Sequence, residues 1–258
     1  MPQKSKQLQA ALQAAQEAGK ILMQHYGRLK NIQYKAENET VTEADQQSEK
    51  RILSILKKAF PEYSIIAEES GTEETASPYC WLIDPLDGTS NFVMQNPFFN
   101  VSIGLAYQEE PILGVVYNPY TKELFYAEKG CGVWMNGKRI AASKQAAIDK
   151  AIIGFCHTRG RENVLRALQL YQKLKLITNR VRQFGSAALE LAYVAAGRID
   201  AFYMTNTHPH DVAAGAVIAQ EAGCKVTDFA GKPFTVATED ILVSNPQLYE
   251  TLRKLLQP

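Results

Sequence analysis

The segment Cys80-Trp-Leu-Ile-Asp84-Pro-Leu-Asp87-Gly88-Thr89-Ser-Asn-Phe92 sets the tightest limits on how this chain can fold. Cys80 to Ile83 is an apolar run suited to a buried strand, and it ends abruptly on an acid. Pro85 and Gly88 predict a tight turn that brings a second acid, Asp87, close to the first. Two carboxylates at one strand end repel each other, and both stay ionised only beside a positive charge. Gly88-Thr89-Ser90 offers backbone N–H groups and hydroxyls that suit a phosphate. The strand is therefore a core element whose end opens into a site for hard cations and a phosphorylated ligand.

The rest of the chain supplies the layers that such a strand needs. A chain of 258 residues can bury roughly three-quarters of its unfolded surface. We expect one unit over 1–258, with an N-terminal lobe to about 145 and a C-terminal lobe from about 146. Leu8, Leu12, Ala15, Gly19 and Leu22 repeat at four- and three-residue spacing, one face of a helix ending near Gly27. A polar connection, Lys35–Glu39, follows. Thr42 reads as the N-cap of a helix with Ile52, Ile55, Leu56 and Phe60 on its apolar face, stopped by Pro61. Residues 63–67 form a strand running into Glu68-Glu69. Strands over 101–107, 112–117 and 124–127 make a meander, with Asn118-Pro119 and Asn136-Gly137 at turns. Beyond about 145, strands (151–155, 180–184, 199–204, 241–244) alternate with helices (162–176, 186–196, 212–222). A last helix opens at Pro246. This mixture implies stacked helix and sheet layers, an α/β (α+β) class.

Composition narrows the function. A formal net charge of +1 gives no electrostatic footprint for nucleic acid or an anionic membrane. No apolar run reaches membrane-spanning length and the polar N-terminus carries no signal peptide, so a soluble, cytoplasmic protein is expected. Cys80, Cys131, Cys156 and Cys224 lie far apart with no Cys-x-x-Cys pair, against both a zinc site and a disulfide framework.

Each acidic motif has a bland reading beside the chemical one. Asp84-Pro-Leu-Asp87-Gly88 alone could be only a turn. It is not an EF-hand loop, because position twelve counted from Asp84 is Gln95 rather than glutamate. Glu68-Glu69 could be a solvated loop, or it could converge with the first acids at one sheet edge and suit magnesium. Thr42-Glu-Ala-Asp45 is close to a capping box. Asp211, before Val212-Ala-Ala-Gly215, would serve as an N-cap or as a metal ligand. His208-Pro-His210 is a weak transition-metal signal with no third histidine nearby. No Gly-rich Lys-Ser/Thr loop is present, and no cysteine has an arginine six positions later. The central acids are three apart rather than two, against an aspartyl-phosphate nucleophile. Metal-activated water is the chemistry left.

Taken in order, Val41-Thr-Glu-Ala-Asp45, Ala67-Glu68-Glu69-Ser70, Asp84-Pro-Leu-Asp87-Gly88-Thr89, Gly185-Ser186-Ala187-Ala188 and His210-Asp211-Val-Ala-Ala-Gly215 give the chain a family likeness. It resembles the inositol monophosphatase family, part of a magnesium-dependent, lithium-sensitive phosphatase superfamily, over nearly its whole length. The resemblance implies a layered α-β-α-β-α sandwich of the sugar-phosphatase type, usually a homodimer, that hydrolyses a small phosphate monoester with two or three Mg2+ ions. By position, Glu68, Asp84, Asp87, Asp211 and the Leu86 carbonyl would be metal ligands. Thr89 and Asp45, with Glu68, would serve the attacking water. Asp87, Gly88, Thr89 and Asp211 would face the phosphate, and Gly185, Ser186 and Ala187 the leaving group. Met204 stands where inositol-specific members carry a sugar-contacting glutamate, and His210 where the family usually has tryptophan. The expected substrate is inositol 1-phosphate or a related sugar or polyol phosphate. The alternatives are 3′-phosphoadenosine 5′-phosphate, fructose 1,6-bisphosphate or histidinol phosphate. Some bacterial relatives also act as partners of the transcription machinery, a reading of a different class.

Overall fold

In the computed structural model, residues 4–29, 32–34 and 40–257 are described. Helix α1 (Lys6–His25) begins where the Ser5 side chain accepts a hydrogen bond from the Leu8 N–H at 3.0 Å. A short antiparallel hairpin, β1 (Ile32–Tyr34) with β2 (Thr40–Thr42), leads into α2 (Glu43–Ala59). The polar connection expected at Lys35–Glu39 lies outside the described residues. Helices α1 and α2 pack on each other and on one face of the first sheet, burying Leu8, Leu12, Leu22, Ile52 and Leu56 against Trp81, Ile83 and Ile103.

That sheet continues through β3 (Ser64–Ala67), β4 (Gly71–Glu73) and β5 (Tyr79–Asp87), then, after the short helix α3 (Thr89–Val93), β6 (Asn100–Tyr107), β7 (Glu110–Asn118), β8 (Glu123–Glu128), β9 (Val133–Met135) and β10 (Lys138–Arg139). Its order is β10-β9-β8-β7-β6-β5-β3-β4, antiparallel throughout except for the parallel β3–β5 pair. The predicted meander is present, and β9–β10 extends it across the Asn136-Gly137 turn. Strand β4 and helix α3 are too short for a periodicity to announce them.

The second half holds β11 (Ile153–His157), α4 (Arg161–Lys175), β12 (Val181–Arg182), α5 (Ala187–Ala195), β13 (Ala201–Thr205), α6 (Pro209–Glu221), β14 (Lys225–Thr227), β15 (Ile241–Ser244) and α7 (Pro246–Leu256). Its sheet runs β12-β11-β13-β15-β14. Strand β12 is much shorter than the expected 180–184, because β11 pairs with it only at Ile153↔Val181 and Gly154↔Arg182. Helices α4 and α7 cover the outer face, around Leu170, Leu174, Leu248 and Leu252. Helices α5 and α6 fill the space between the sheets, touching Val116 and Phe125 of the first sheet and Phe202 and Val243 of the second. The layers thus run α-β-α-β-α, as expected. No helix among the described residues is long and apolar enough to cross a membrane.

A glycine pair sets the height of the middle layer. Gly104 and Gly114 are cross-strand partners on β6 and β7, and α6 lies directly on the notch they leave. A Cβ at Gly114 would run into the Ala214 carbonyl. Gly114→Ala is therefore expected to lower stability by about 2 kcal/mol through overpacking. Urea melts of the two proteins would check this, and equal midpoints would contradict it.

Candidate active site

The parallel register of β3 and β5 builds the first part of the site. Ala67 pairs with Ile83, so Glu68 and Asp84 leave adjacent strands at one edge. The Glu68 N–H donates to the Ile83 carbonyl at 3.1 Å. The predicted turn after Ile83 is corrected here: the strand continues to Asp87 through a bulge. Asp84 opposes Ser102 and Asp87 opposes Asn100, so three steps on β5 match two on β6. Regular alternation would put residues three apart on opposite faces; the extra residue returns both acids to one cavity. Pro85 has no N–H to strand within this irregular stretch, and its carbonyl accepts from Ser48 at 3.0 Å. The Leu86 N–H donates to Asp84 Oδ1 at 2.9 Å. The reversal comes later, at Gly88 (φ +89°).

Asp45 caps a helix and also contacts Thr89. Its Oδ2 accepts from the Thr42 N–H (2.8 Å) and hydroxyl (2.6 Å), closing the capping box of α2. Its Oδ1 faces the Thr89 hydroxyl at 3.3 Å, and that hydroxyl also lies 3.0 Å from the Leu86 carbonyl. Asp45 is buried, so it reaches the cavity through Thr89 rather than by lining it.

Asp87 receives four hydrogen bonds. It accepts from Asn100 Nδ2 (2.8 Å), the Ser186 hydroxyl (2.8 Å), and the Ala187 (3.1 Å) and Ala188 (2.8 Å) N–H groups at the start of α5. Ser186 was expected on the leaving-group wall; instead it is buried, its hydroxyl committed to Asp87, while Gly185 and Ala187 line the cavity. Asp211 carried two readings from the sequence, N-cap or metal ligand. His208 holds the N-cap position and Pro209 the first helical one, so Asp211 sits in the first turn of α6 and lines the cavity. His210 Nε2 lies 3.4 Å from Asp211 Oδ1, and its ring stacks on His208.

These groups surround a cavity of about 860 Å³. Glu68, Asp84, Leu86, Asp87, Gly88, Thr89 and Asp211 form its acidic side. Met204 and Cys156, register partners on β13 and β11, add a sulfur-rich apolar stretch. Burial, then the charge of Asp211, pushes the Glu68 carboxyl well above its usual range. Burial, then Glu68, Asp87 and Asp211, does the same to Asp84. Burial raises Asp87 to about 6 against the lowering effect of its Ser186 and Asn100 hydrogen bonds. Burial likewise raises Asp45 to about 6 against its bonds from Thr42.

Among the described residues no group of three or more His, Cys, Asp or Glu side chains is already arranged to hold a metal ion. The donor chemistry nonetheless fits a hard divalent cation. The donors are all oxygen, the charges acting on the acids are mainly those of other acids, and buried Glu68 Oε2 has no hydrogen-bond partner. Glu68, Asp84, Asp87, Asp211 and the Leu86 carbonyl could hold such an ion once the side chains turn inward.

Asn91, Asn100 and Glu190 escaped the sequence reading. Asn91 Nδ2 donates to the carbonyls of Phe98 (2.8 Å) and Phe184 (2.7 Å), tying α3 to the strand-to-helix connection before α5. Fully buried Glu190 accepts from the Phe184 and Gly185 N–H groups and from the Cys156 thiol, each at 3.2 Å. Asn100, just before the predicted strand 101–107 and the first residue of β6, carried one usable signal: an amide where an apolar residue would face the core.

Two buried sheets enclosing a helical layer, with acids from β3, β5 and α6 meeting at one cavity, define a fold and site with clear relatives. The model of the inositol monophosphatase family matches residues 3–258. An inositol-1-monophosphatase of Synechocystis sp. is 39% identical over 96% of this chain and 88% of its own. A fructose-1,6-bisphosphatase/inositol-1-monophosphatase of Aquifex aeolicus is 38% identical, covering 95% and 93% respectively. The Nus factor SuhB of Pseudomonas aeruginosa is 36% identical over 97% of this chain and 96% of its own. The crystal structure of extragenic suppressor protein suhB from Bartonella henselae superposes with a TM-score of 0.92 at 36% identity, covering 98% of this chain and 99% of that one. The chain belongs to the inositol monophosphatase family, and thereby to the phosphoric monoester hydrolases.

Proposed function

We propose that the protein hydrolyses a small sugar or polyol phosphate monoester with Mg2+, using the carboxylates of Glu68, Asp84, Asp87 and Asp211 and the Leu86 carbonyl as metal ligands. The observation that carries this reading is the convergence of these oxygens on one cavity beside the Thr89–Asp45 pair. When bound, the metal lowers the pKa of a water and offsets charge on the phosphoryl oxygens. The chain's own residues supply the rest. Thr89 Oγ1 has one proton and two acceptors in reach, so it can donate to Asp45 Oδ1 while accepting from the attacking water. As the water oxygen bonds to phosphorus, its proton passes to Thr89 Oγ1 and the threonine proton to Asp45 Oδ1. A carboxyl lifted to about 6 by burial accepts that proton more readily than an ordinary aspartate. The ester oxygen leaves along the Gly185–Ala187 side as its P–O bond breaks and takes a proton from a cavity water, while Asp45 returns its proton to solvent. Gly88 and Thr89 offer N–H groups to the phosphate.

Inositol 1-phosphate, fructose 1,6-bisphosphate, 3′-phosphoadenosine 5′-phosphate and histidinol phosphate, ranked by kcat/KM in Mg2+, would test this. Failure to turn over any of them would overturn it. The Met204–Cys156 stretch presents no strong hydrogen-bond acceptor to polyol hydroxyls. Met204→Glu is expected to raise kcat/KM for inositol 1-phosphate about 10-fold, the worth of one charge-assisted hydrogen bond. An unchanged value would remove this residue from substrate selection.

A second reading, binding to the transcription machinery, is favoured by the similarity to the Nus factor SuhB. It needs no acidic site, so retention of RNA polymerase components by an Asp84→Asn bait would support it, and their absence from the wild-type bait would dismiss it.

A further inference from the structure

Gly185 lines the cavity on the side where the ester oxygen departs, and two side chains hold all four backbone polar groups of Phe184-Gly185. Glu190 Oε1 accepts from both N–H groups, each at 3.2 Å. Asn91 Nδ2 takes the other side, donating to the Phe184 carbonyl at 2.7 Å and the Gly185 carbonyl at 3.3 Å. The same nitrogen donates to the Phe98 carbonyl at 2.8 Å, so one amide joins the backbone before β6 to the backbone before α5. The rings of Phe98 and Phe184 stack with centroids 5.2 Å apart.

The amide is itself held. Asn91 Oδ1 accepts from Asn96 Nδ2 at 2.9 Å, and the Asn96 N–H donates to the Asn91 carbonyl at 2.8 Å. Asn91 is buried and stands behind the cavity lining rather than in it.

Its place in the chain gives this clamp a meaning. Asn91 lies on α3, the helix that opens with Gly88 as its N-cap and Thr89 as its first residue. Gly88 packs directly on the same carbonyls. A Cβ there would lie 3.0 Å from the Phe98 oxygen and 3.3 Å from the Gly185 oxygen. The phosphate seat and the leaving-group wall, far apart in sequence, therefore meet on one set of carbonyls that Asn91 binds. An in-line displacement needs the attacking water, the phosphorus and the leaving oxygen on one axis. A misplacement of about 1 Å can cost about 10²-fold in rate.

That cost falls unevenly on substrates. An alkoxide must take a proton from a cavity water as its P–O bond breaks, so the wall beside that water has to be in place. A p-nitrophenolate departs without the proton and tolerates a displaced wall.

We propose that Asn91 is a positioning residue, which fixes the Gly185 wall against the Gly88–Thr89 phosphate seat and so keeps the leaving oxygen in line. The inference rests on the phosphatase reading above and adds to it a residue that acts through the backbone of the wall.

The test compares the best of the four alkyl esters named above with p-nitrophenyl phosphate, both in saturating Mg2+. In Asn91→Ala, kcat for the alkyl ester is expected to fall about 10²-fold with KM within about 2-fold, while kcat for p-nitrophenyl phosphate falls by no more than about 3-fold. Asn91→Asp keeps the shape but sets a carboxylate against the Phe98 and Phe184 carbonyls, and should discriminate at least as strongly. Both esters are measured on one sample, so a loss of folded protein cancels from their ratio. Asn96→Ala, at an exposed position, frees the Asn91 amide without opening the core and should shift the ratio the same way by about 3-fold. If Asn91→Ala does not fold, that shift decides alone. Equal losses on both esters would overturn the proposal, leaving Asn91 a support of the fold or of Asp87 through the Ser186–Ala188 segment. A rise in KM with kcat unchanged, or no effect on either ester, would overturn it as well. A wild type inactive on all four alkyl esters would instead bring down the phosphatase reading, and this inference with it.

Discussion

Replacing Asp87 with asparagine is expected to lower Mg2+-dependent phosphate release by about 10³-fold or more, a loss at the upper end for removing one preorganised electrostatic group. The reasoning follows from its surroundings. Asp87 Oδ2 receives Asn100, Ser186 and Ala188, and Oδ1 receives Ala187, so protein donors already fix both oxygens. An amide can keep only one oxygen. Placed at Oδ2, it sets its NH2 group against the Ala187 N–H, losing one hydrogen bond and adding a donor–donor contact. The negative charge offered to the cavity disappears as well. Stability should change less than activity. One lost bond costs about 1–2 kcal/mol, and removing a buried acid that repels Asp211 offsets part of that. Phosphate release at saturating Mg2+, measured beside a thermal melt, separates the two effects. Activity within 10-fold of wild type would show that Asp87 is not part of the metal-binding set.

What could be read from the residues, and what could not, divides along physical lines. Apolar runs ending on acids placed β3 and β5 and their carboxylates correctly, because burial of one segment and solvation of the next are local properties. The bulge was invisible. Asp84-Pro-Leu-Asp87-Gly88 consists of turn formers, and only the register against Ser102 and Asn100 on β6 makes it a bent strand. The start of α6 could have been found, since proline favours the first helical position and Pro209 occupies it. Glu190 could not. Helix α5 lies between two sheets and has no solvent face, so the habit of reading glutamate as exposed fails there.

Stripped of divalent metal, the protein is expected to lose stability as pH rises from about 5 to 8, and Mg2+ to restore it. Burial raises the folded-state pKa of Asp45 and Asp87 from 3.8 to about 6, and pushes Glu68 and Asp84 well above their usual range. A raised pKa means that the folded state binds more protons than the unfolded one, so stability falls with increasing pH. The effect is absent below the unfolded values near 4 and grows through about 6 for the two aspartates, with Glu68 and Asp84 acting in the same direction. A cation bound by these oxygens favours the ionised forms and opposes the trend. At 100 times its dissociation constant it adds about 2.7 kcal/mol, which raises the melting temperature by roughly 5–10 °C for a chain of this size. Glu190 separates the metal-linked part from the rest. Burial raises its carboxyl too, but its contacts are Phe184, Gly185 and Cys156 rather than the acidic side of the cavity. Glu190→Gln should therefore flatten part of the slope in the metal-free protein and leave the Mg2+-induced rise intact. Melting curves in EDTA and in Mg2+ across this range would measure both. A metal-free protein whose stability increases toward pH 8 would show that these acids are charge-compensated by the fold itself, and would remove the electrostatic argument for a metal between them.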